Sequence, residues 1–225
     1  MLFVGLGIWQ VERRTWKLAL IRTIDSRIAA APAAPPPPAT WPRFDPQAQA
    51  YRRVAVQGRF LAGRSTLVQA LTERGAGYWV ITPLRTSQGF VILVNRGFVP
   101  TALGAMAVRG QADAPAKVTG LLRLSEPGGR LFRANDPAAD RWYSRDIAAI
   151  AAKRGLGPVA PYFIDADATP NPGGWPVGGL TVVDLPNNHL VYAVTWFALA
   201  ALSLFGFVRV WRDGRGSAGS KGKVA

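Results

Sequence analysis

The chain contains a single histidine, His189, and no cysteine. Imidazole chemistry is therefore confined to one position, and disulfides, thiol nucleophiles and Cys-based metal sites are excluded together. On a helical projection His189, Tyr192, Trp196, Leu199, Ala200 and Ser203 fall on one face, because offsets of 3, 7, 10, 11 and 14 residues return to nearly the same angle. Read down the helix, that face is polar, then aromatic, then small. A neutral imidazole beside aromatic rings at membrane depth can serve as an axial ligand of haem iron, with Tyr192 and Trp196 against an apolar macrocycle. The same residues also read as an interfacial histidine with two belt aromatics.

Other residues offer less. Asp136, Asp140, Asp165 and Asp167 can pair only if the fold brings them together, and their spacing does not require it. Arg96, beside a glycine in NRGFVP, can present a guanidinium to a carboxylate or a haem propionate, or be a plain surface arginine on a hairpin. Trp9, Arg13, Trp16 and Lys17 suit an anchor at lipid headgroups better than a binding site. Asn187 and Asn188 are N-cap candidates for the helix that follows. No His-Glu-x-x-His, Gly-x-Ser-x-Gly, Walker loop or dinucleotide fingerprint occurs. With one histidine and no cysteine the familiar triads and zinc sites are excluded, so a non-enzyme is expected.

The element that must position His189 is the run from Leu190 to Val208. It holds no charge, Pro or Asn and approaches the roughly 20 residues that cross hydrocarbon. Arg209, Arg212, Arg215, Lys221 and Lys223 follow it, which places the C-terminus in the cytoplasm by the positive-inside rule. The polar part of the chain then lies outside. The net charge of +14 comes from scattered arginines rather than a block, so a solvated basic face is expected and no nucleic-acid partner. At the other end, MLFVGLGIW is apolar, too short to span, and lacks a signal peptide's basic start and cleavage site. It reads either as a half-helix packed on the anchor or as the end of a longer transmembrane helix whose start lies further upstream. Helical spacing continues through Ile21, Ile24 and Ile28, and stops in the Pro-rich stretch after Ala29.

Beyond that stretch, apolar and β-branched runs recur between Gly and Pro punctuation: Arg53–Leu61, Ser65–Leu71, Tyr78–Arg85, Phe90–Val94, Val118–Leu124 and Pro161–Asp165. RTSQG predicts a hairpin loop, and the glycine of NRGFVP a turn. One helix is predicted from Asp146 to Arg154, with Asp146 or Ser144 at its start and Gly155 after its end. The fold class is therefore a membrane protein of the α+β kind, with transmembrane helices flanking a mainly antiparallel β domain, a small sheet or barrel, outside the cytoplasm. The expected organisation is residues 1–28 as the end of an apparently truncated first transmembrane helix plus a helical extension, 29–42 as an Ala/Pro linker, 43–186 as the β-rich periplasmic domain, 187–210 as the transmembrane helix and 211–225 as a basic cytoplasmic tail.

Several phrases together make the chain resemble the Surfeit locus protein 1 family. They are LGIWQVERRTWK (Leu6–Lys17), YRRVAVQGRF (Tyr51–Phe60), GYWVITPL (Gly77–Leu84), VILVNRGFVP (Val91–Pro100) and LPNNHLVYAVTWFALA (Leu185–Ala200). The last is the most specific, since it joins a helix start, the sole histidine and an apolar segment in one order. The resemblance implies two transmembrane helices around an extracytoplasmic β domain and a role as an assembly factor of haem-copper cytochrome c oxidase. Bacterial members of the family look like haem a binders through the histidine of the second transmembrane helix, here His189. The implied partners are the oxidase catalytic subunit, the haem a synthesis machinery and the lipid bilayer of a bacterial inner membrane, since no mitochondrial presequence is present. The alternative is a membrane scaffold that stabilises oxidase intermediates without binding haem.

Overall fold

A tight sheet needs strands that bury apolar residues on at least one face, and residues 53–60 show the pattern in its simplest form. Val54, Val56 and Phe60 are buried while Gln57 and Arg59 are exposed, the alternation of a strand with one face on a core. The computed structural model describes residues 1–104, 106, 115–130, 132–181, 183 and 185–219. The chain divides into two compact units, one made of Met1–Thr23 with Asp184–Ala225 and the other of Ile24–Val183.

In the second unit, β1 (Arg53–Phe60), β2 (Thr66–Thr72), β3 (Gly75–Thr86), β4 (Val91–Pro100), β5 (Pro115–Leu124) and β8 (Val159–Ala166) form one sheet in the order β1-β5-β8-β4-β3-β2. A short hairpin of β6 (Gly129–Arg130) and β7 (Arg133–Ala134) stands apart. The end of β1 also pairs with the end of β3, Gly58 opposite Thr86 and Phe60 opposite Leu84, which closes the sheet on itself. These pairings are antiparallel except that of β4 with β8, which is parallel. Closure gives the sheet an inside, filled by Val54, Val56, Phe60, Leu84, Ile92, Val94, Val118, Leu122, Tyr162 and Ile164.

A second core lies on the outer face of β2, β3, β4 and β8. Val68, Ile81, Leu93 and Phe163 meet Trp142 and the helix Ile147–Arg154 there. Alternate residues of β4 and β8 thus enter different cores, Ile92 and Val94 inward and Leu93 outward, which is why these strands read as unbroken apolar runs. That helix is α3 here, after α1 (Leu2–Ala29) and α2 (Pro46–Gln49). It agrees with the sequence expectation at both ends: the Asp146 carboxylate accepts from Ala149 N at 3.1 Å, and Gly155 takes the left-handed conformation.

The other elements match in place with two differences. RTSQG is the β3–β4 hairpin connection, where Thr86 N donates to Phe90 O. NRGFVP, however, does not turn: β4 runs through it to Pro100, and the register with β3 shifts between Trp79 and Ile81. Gly97, at φ 131°, lets Val177 pair with Phe98 at close range, since a Cβ on Gly97 would lie 2.1 Å from Val177 O. The glycine permits a close backbone approach, not a reversal.

The Pro-rich stretch is laid along the sheet. Ala33 bridges to Val54, Trp41 Nε1 and the Tyr162 hydroxyl both donate to Pro36 O (3.1 and 2.6 Å), and Phe44 stacks on Tyr162. The end of α1 is tied in by Arg27, which donates to the carbonyls of Gln47 and Ala50. Residues 182 and 184, between the sheet and the last helix, lie outside the described set, as do Lys221 and Lys223 of the expected tail.

In the first unit, the early turns of α1 meet a long helix α4 (His189–Gly219). Its segment His189–Arg212 has a mean hydropathy of 2.0 and is 6% buried. At 1.5 Å per residue it is about 36 Å long, against about 30 Å of hydrocarbon. By length and composition it is the one helix among the described residues suited to crossing a membrane.

Candidate functional site

His189 is the first residue of α4. Three contacts set the two helices antiparallel: in the first two turns of α1 Phe3 stacks on Trp196 with centroids 5.8 Å apart and Gly7 receives the Phe197 ring, and further along Gln10 Oε1 lies 2.8 Å from Nδ1 of His189 at the head of α4. Steps of four and three residues on α1 keep the contacting side on one face. Gly7 leaves room for the Phe197 ring as it stands, since a Cβ there would sit 2.6 Å from it. Gln10 is 8% exposed and Ala193, one turn below His189, is 2% exposed.

The packed face of α4 therefore runs through His189, Ala193, Trp196 and Ala200, with offsets of 4, 7 and 11 residues. Tyr192, at an offset of three, stands at the edge of that face and is 55% exposed. Of the three candidate cofactor residues, then, His189 and Trp196 share the packed face two turns apart, each against its own partner on α1, and Tyr192 stands at the edge of that face. The outward side of α4, with Val191, Val194, Leu202 and Phe205, is apolar and exposed, the character of a lipid-facing surface. Trp9 and Trp16 are exposed on α1, and the Arg13 guanidinium lies 4.5 Å above the Trp16 ring.

The expected caps do not form. Among the described residues neither Asn187 nor Asn188 makes a side-chain bond to the first turn of α4, and Asn187 Oδ1 is buried with no partner. The helix begins with His189, so Asn188 contributes its carbonyl to Tyr192 N at 3.3 Å instead.

In the sheet unit the four aspartates do not gather. Asp136 pairs with Arg141, Asp140 with Arg154 and Trp142 Nε1, and Asp167 bonds to Thr169. Asp165 is buried and fully engaged: Oδ1 accepts from Asn95 (2.8 Å) and Arg145 (3.1 Å), and Oδ2 from Arg123 (3.1 Å). Arg145 also forks onto Glu126, with Nε 3.0 Å from Oε2, and lies over the Phe163 ring. Burial pushes the Glu126 carboxyl up, but the hydrogen bonds and charge of Arg145 outweigh it and hold the carboxyl below its usual range. Asp136, Asp140, Asp165 and Glu126 are each paired with an arginine, while Asp167 is held by Thr169. Among the described residues no group of three His, Cys, Asp or Glu can hold a metal ion.

Arg96 is not a surface residue. It is 8% exposed, stacks over Phe60 at 4.6 Å and donates to Asn171 Oδ1 at 2.9 Å. Burial holds its pKa below the ordinary arginine value. It lines a cavity of about 440 Å³ with Phe60, Lys117, Asn171 and Trp175.

Sequence reasoning did not single out Gln10, nor the partners of Asp165. The only local signal for Gln10 is that it is the first polar side chain after the apolar run Met1–Trp9, three residues past a glycine. Nothing local marks Arg123, Arg145 or Asn95, which meet Asp165 across 20 to 70 residues.

The described chain thus combines a closed β domain with a separate pair of helices that carries the sole imidazole at the head of a membrane-length segment. The chain belongs to the SURF1 family, whose model matches residues 1–201. It is 38% identical to the SURF1-like protein of Monosiga brevicollis, over 96% of this chain and 85% of that one. To Surfeit locus protein 1 it is 37% identical in Homo sapiens (89% of this chain, 71% of that one) and 36% in Rattus norvegicus (89% and 69%).

Proposed function

We propose that this chain is a non-enzymatic assembly factor for haem-copper cytochrome c oxidase that holds haem a through His189 and assists its insertion into the catalytic subunit. It does so from a bacterial inner membrane, with α4 crossing the bilayer, the apolar start of α1 beside it in the membrane, the sheet unit in the periplasm and the C-terminus in the cytoplasm. The observation that carries the reading is the place of the only imidazole, half-buried at the head of the apolar helix in a chain of the SURF1 family. Its donor chemistry fits: Nδ1 is taken by Gln10, and a neutral ring then has one lone pair for iron. Trp196 lies on the same face two turns along, and Tyr192 is exposed at its edge, so that it can cover a planar apolar ligand lying along α4.

Haem a is the cargo of this protein, not a reagent it uses, and the chain's own part is to bind, orient and shield it. Purified after co-production with haem a, the protein is expected to carry a haem spectrum that His189→Ala loses at an unchanged protein level. An unaltered spectrum in His189→Ala removes the ligand assignment.

One observation favours the alternative of a scaffold that binds oxidase partners without cofactor. His189 and Trp196 both make contacts between α1 and α4 that hold the helix pair together by themselves. That reading expects His189→Ala to restore oxidase activity in a deletion strain, whereas the haem-holding reading expects restoration to fail.

A further inference from the structure

We infer that Gln10 is the positioning residue of His189, fixing the ring as the Nδ1–H tautomer so that Nε2 is the single atom the imidazole offers to a Lewis acid. The identity of that acid as haem iron rests on the function proposed above, but the tautomer does not.

Gln10 presents its amide oxygen, not its amine, to Nδ1 at 2.8 Å. Two acceptors at that distance repel, so the ring nitrogen must be the donor. In a neutral imidazole a proton on Nδ1 leaves the lone pair on Nε2. The bond is also hard to give up. Gln10 is 8% exposed, and a buried amide oxygen without a partner loses solvation it cannot regain. Among the described residues this ring is the hydrogen-bond partner of the Gln10 side chain, and Gln10 is the partner of the ring.

The helix register protects the pair. Phe3 on Trp196 and Gly7 under Phe197 fix α1 along α4 on the same face, so Gln10 cannot slide away from His189 without breaking both. A ring held by an acceptor on its other nitrogen is the usual arrangement of a ligating histidine, because it settles both the tautomer and the plane of the ring. An amide carbonyl, unlike a carboxylate, does this without adding charge to a helix pair that faces apolar surroundings.

The sole histidine makes the test direct. The full chain is labelled with ¹⁵N-histidine, purified in detergent without haem, and its ring nitrogens observed at a pH where the ring is neutral. The expected spectrum has a protonated-type Nδ1 and an unprotonated-type Nε2. Gln10→Leu should shift the ring to a mixture with the Nε2–H tautomer that prevails in water, and Gln10→Glu, which keeps an acceptor in place, should preserve the native pattern. A wild-type ring protonated on Nε2, or a Gln10→Leu spectrum identical to wild type, overturns the inference.

In protein co-produced with haem a, Gln10→Leu should weaken retention about 10–100-fold. Gln10→Glu should retain haem and lower the iron reduction potential through a stronger donor ring. If the tautomer pattern holds and wild type takes up no haem, the proposed function falls and the positioning role of Gln10 stands.

Discussion

Asp165 in the sheet unit and His189 in the helix pair are each held by polar partners, yet they are finished differently. The Asp165 carboxylate is buried and both its oxygens are engaged, by Asn95, Arg123 and Arg145. His189 is half-buried and has one nitrogen engaged, by Gln10. A polar group with every lone pair matched can only hold structure, whereas one with a lone pair left over can take a ligand. The difference separates a residue that builds the domain from one that serves it, and side-chain identity alone does not reveal it.

The largest expected effect tests the structural half of that contrast. Asp165→Ala takes from Arg123 its carboxylate partner and leaves Arg145 with Glu126 alone, in a site with both arginines mostly buried. Removing one partner of a buried charge pair costs about 3–5 kcal/mol, so the sheet unit should lose much of its thermal stability. A melt of the full chain in detergent measures it. A variant that melts like wild type would show that water reaches the site and that Asp165 is not structural.

His189→Ala should cost less. It removes one neutral hydrogen bond and leaves the Gln10 oxygen without its partner, worth about 1–3 kcal/mol. The same melt reads it, and the paired comparison matters more than either number. If His189→Ala destabilises as much as Asp165→Ala, the histidine belongs with the structural residues and the scaffold reading gains.

Acid should sharpen the contrast on the structural side. The Glu126 carboxyl is held below its usual range by Arg145, against the opposing pull of burial. Its folded pKa is therefore lower than its unfolded one, and the stability it contributes is complete above the unfolded value and lost as pH falls through the folded one. From about pH 6 to about pH 3, spanning the ordinary carboxylate range, the wild-type melting temperature should fall. Glu126→Gln should show a shallower fall over the same window. Parallel curves would mean that Arg145 does not hold Glu126 in solution.

The sequence reading succeeded where the cause is local. The helix Ile147–Arg154 was legible because Asp146 caps it and Gly155 ends it, and β1 because one of its faces is polar. It fell short where the cause is a distant partner. β4 continues through NRGFVP because its pairing with β3 carries on to Gly77 opposite Pro100, with Val177 bridged to Phe98 as well, and no pattern within NRGFVP records those contacts. Arg96 reads from its neighbours as a guanidinium for a carboxylate or as a plain surface arginine on a hairpin, but Phe60 and Asn171, far away in the chain, enclose it. The site divides in the same way. His189 stands out as the only residue of its kind, while Gln10 becomes significant only when α1 is laid against α4.

The smallest effect concerns a contact that looks strong on distance alone. The Tyr162 hydroxyl donates to Pro36 O at 2.6 Å and burial raises its pKa, yet Trp41 Nε1 donates to the same carbonyl at 3.1 Å. Tyr162→Phe keeps the ring that stacks on Phe44 and leaves Pro36 O satisfied by the indole. The loss should therefore be at the low end for a hydrogen bond, about 0.5–1 kcal/mol. Replacing Trp41 by Phe in the Tyr162→Phe background should cost more than replacing it in wild type, since the carbonyl then has neither donor. A double-mutant cycle measures that difference. Strict additivity would mean that the Pro36 carbonyl finds water when either donor is lost, and that the Pro-rich stretch lies less closely on the sheet than its hydrogen bonds imply.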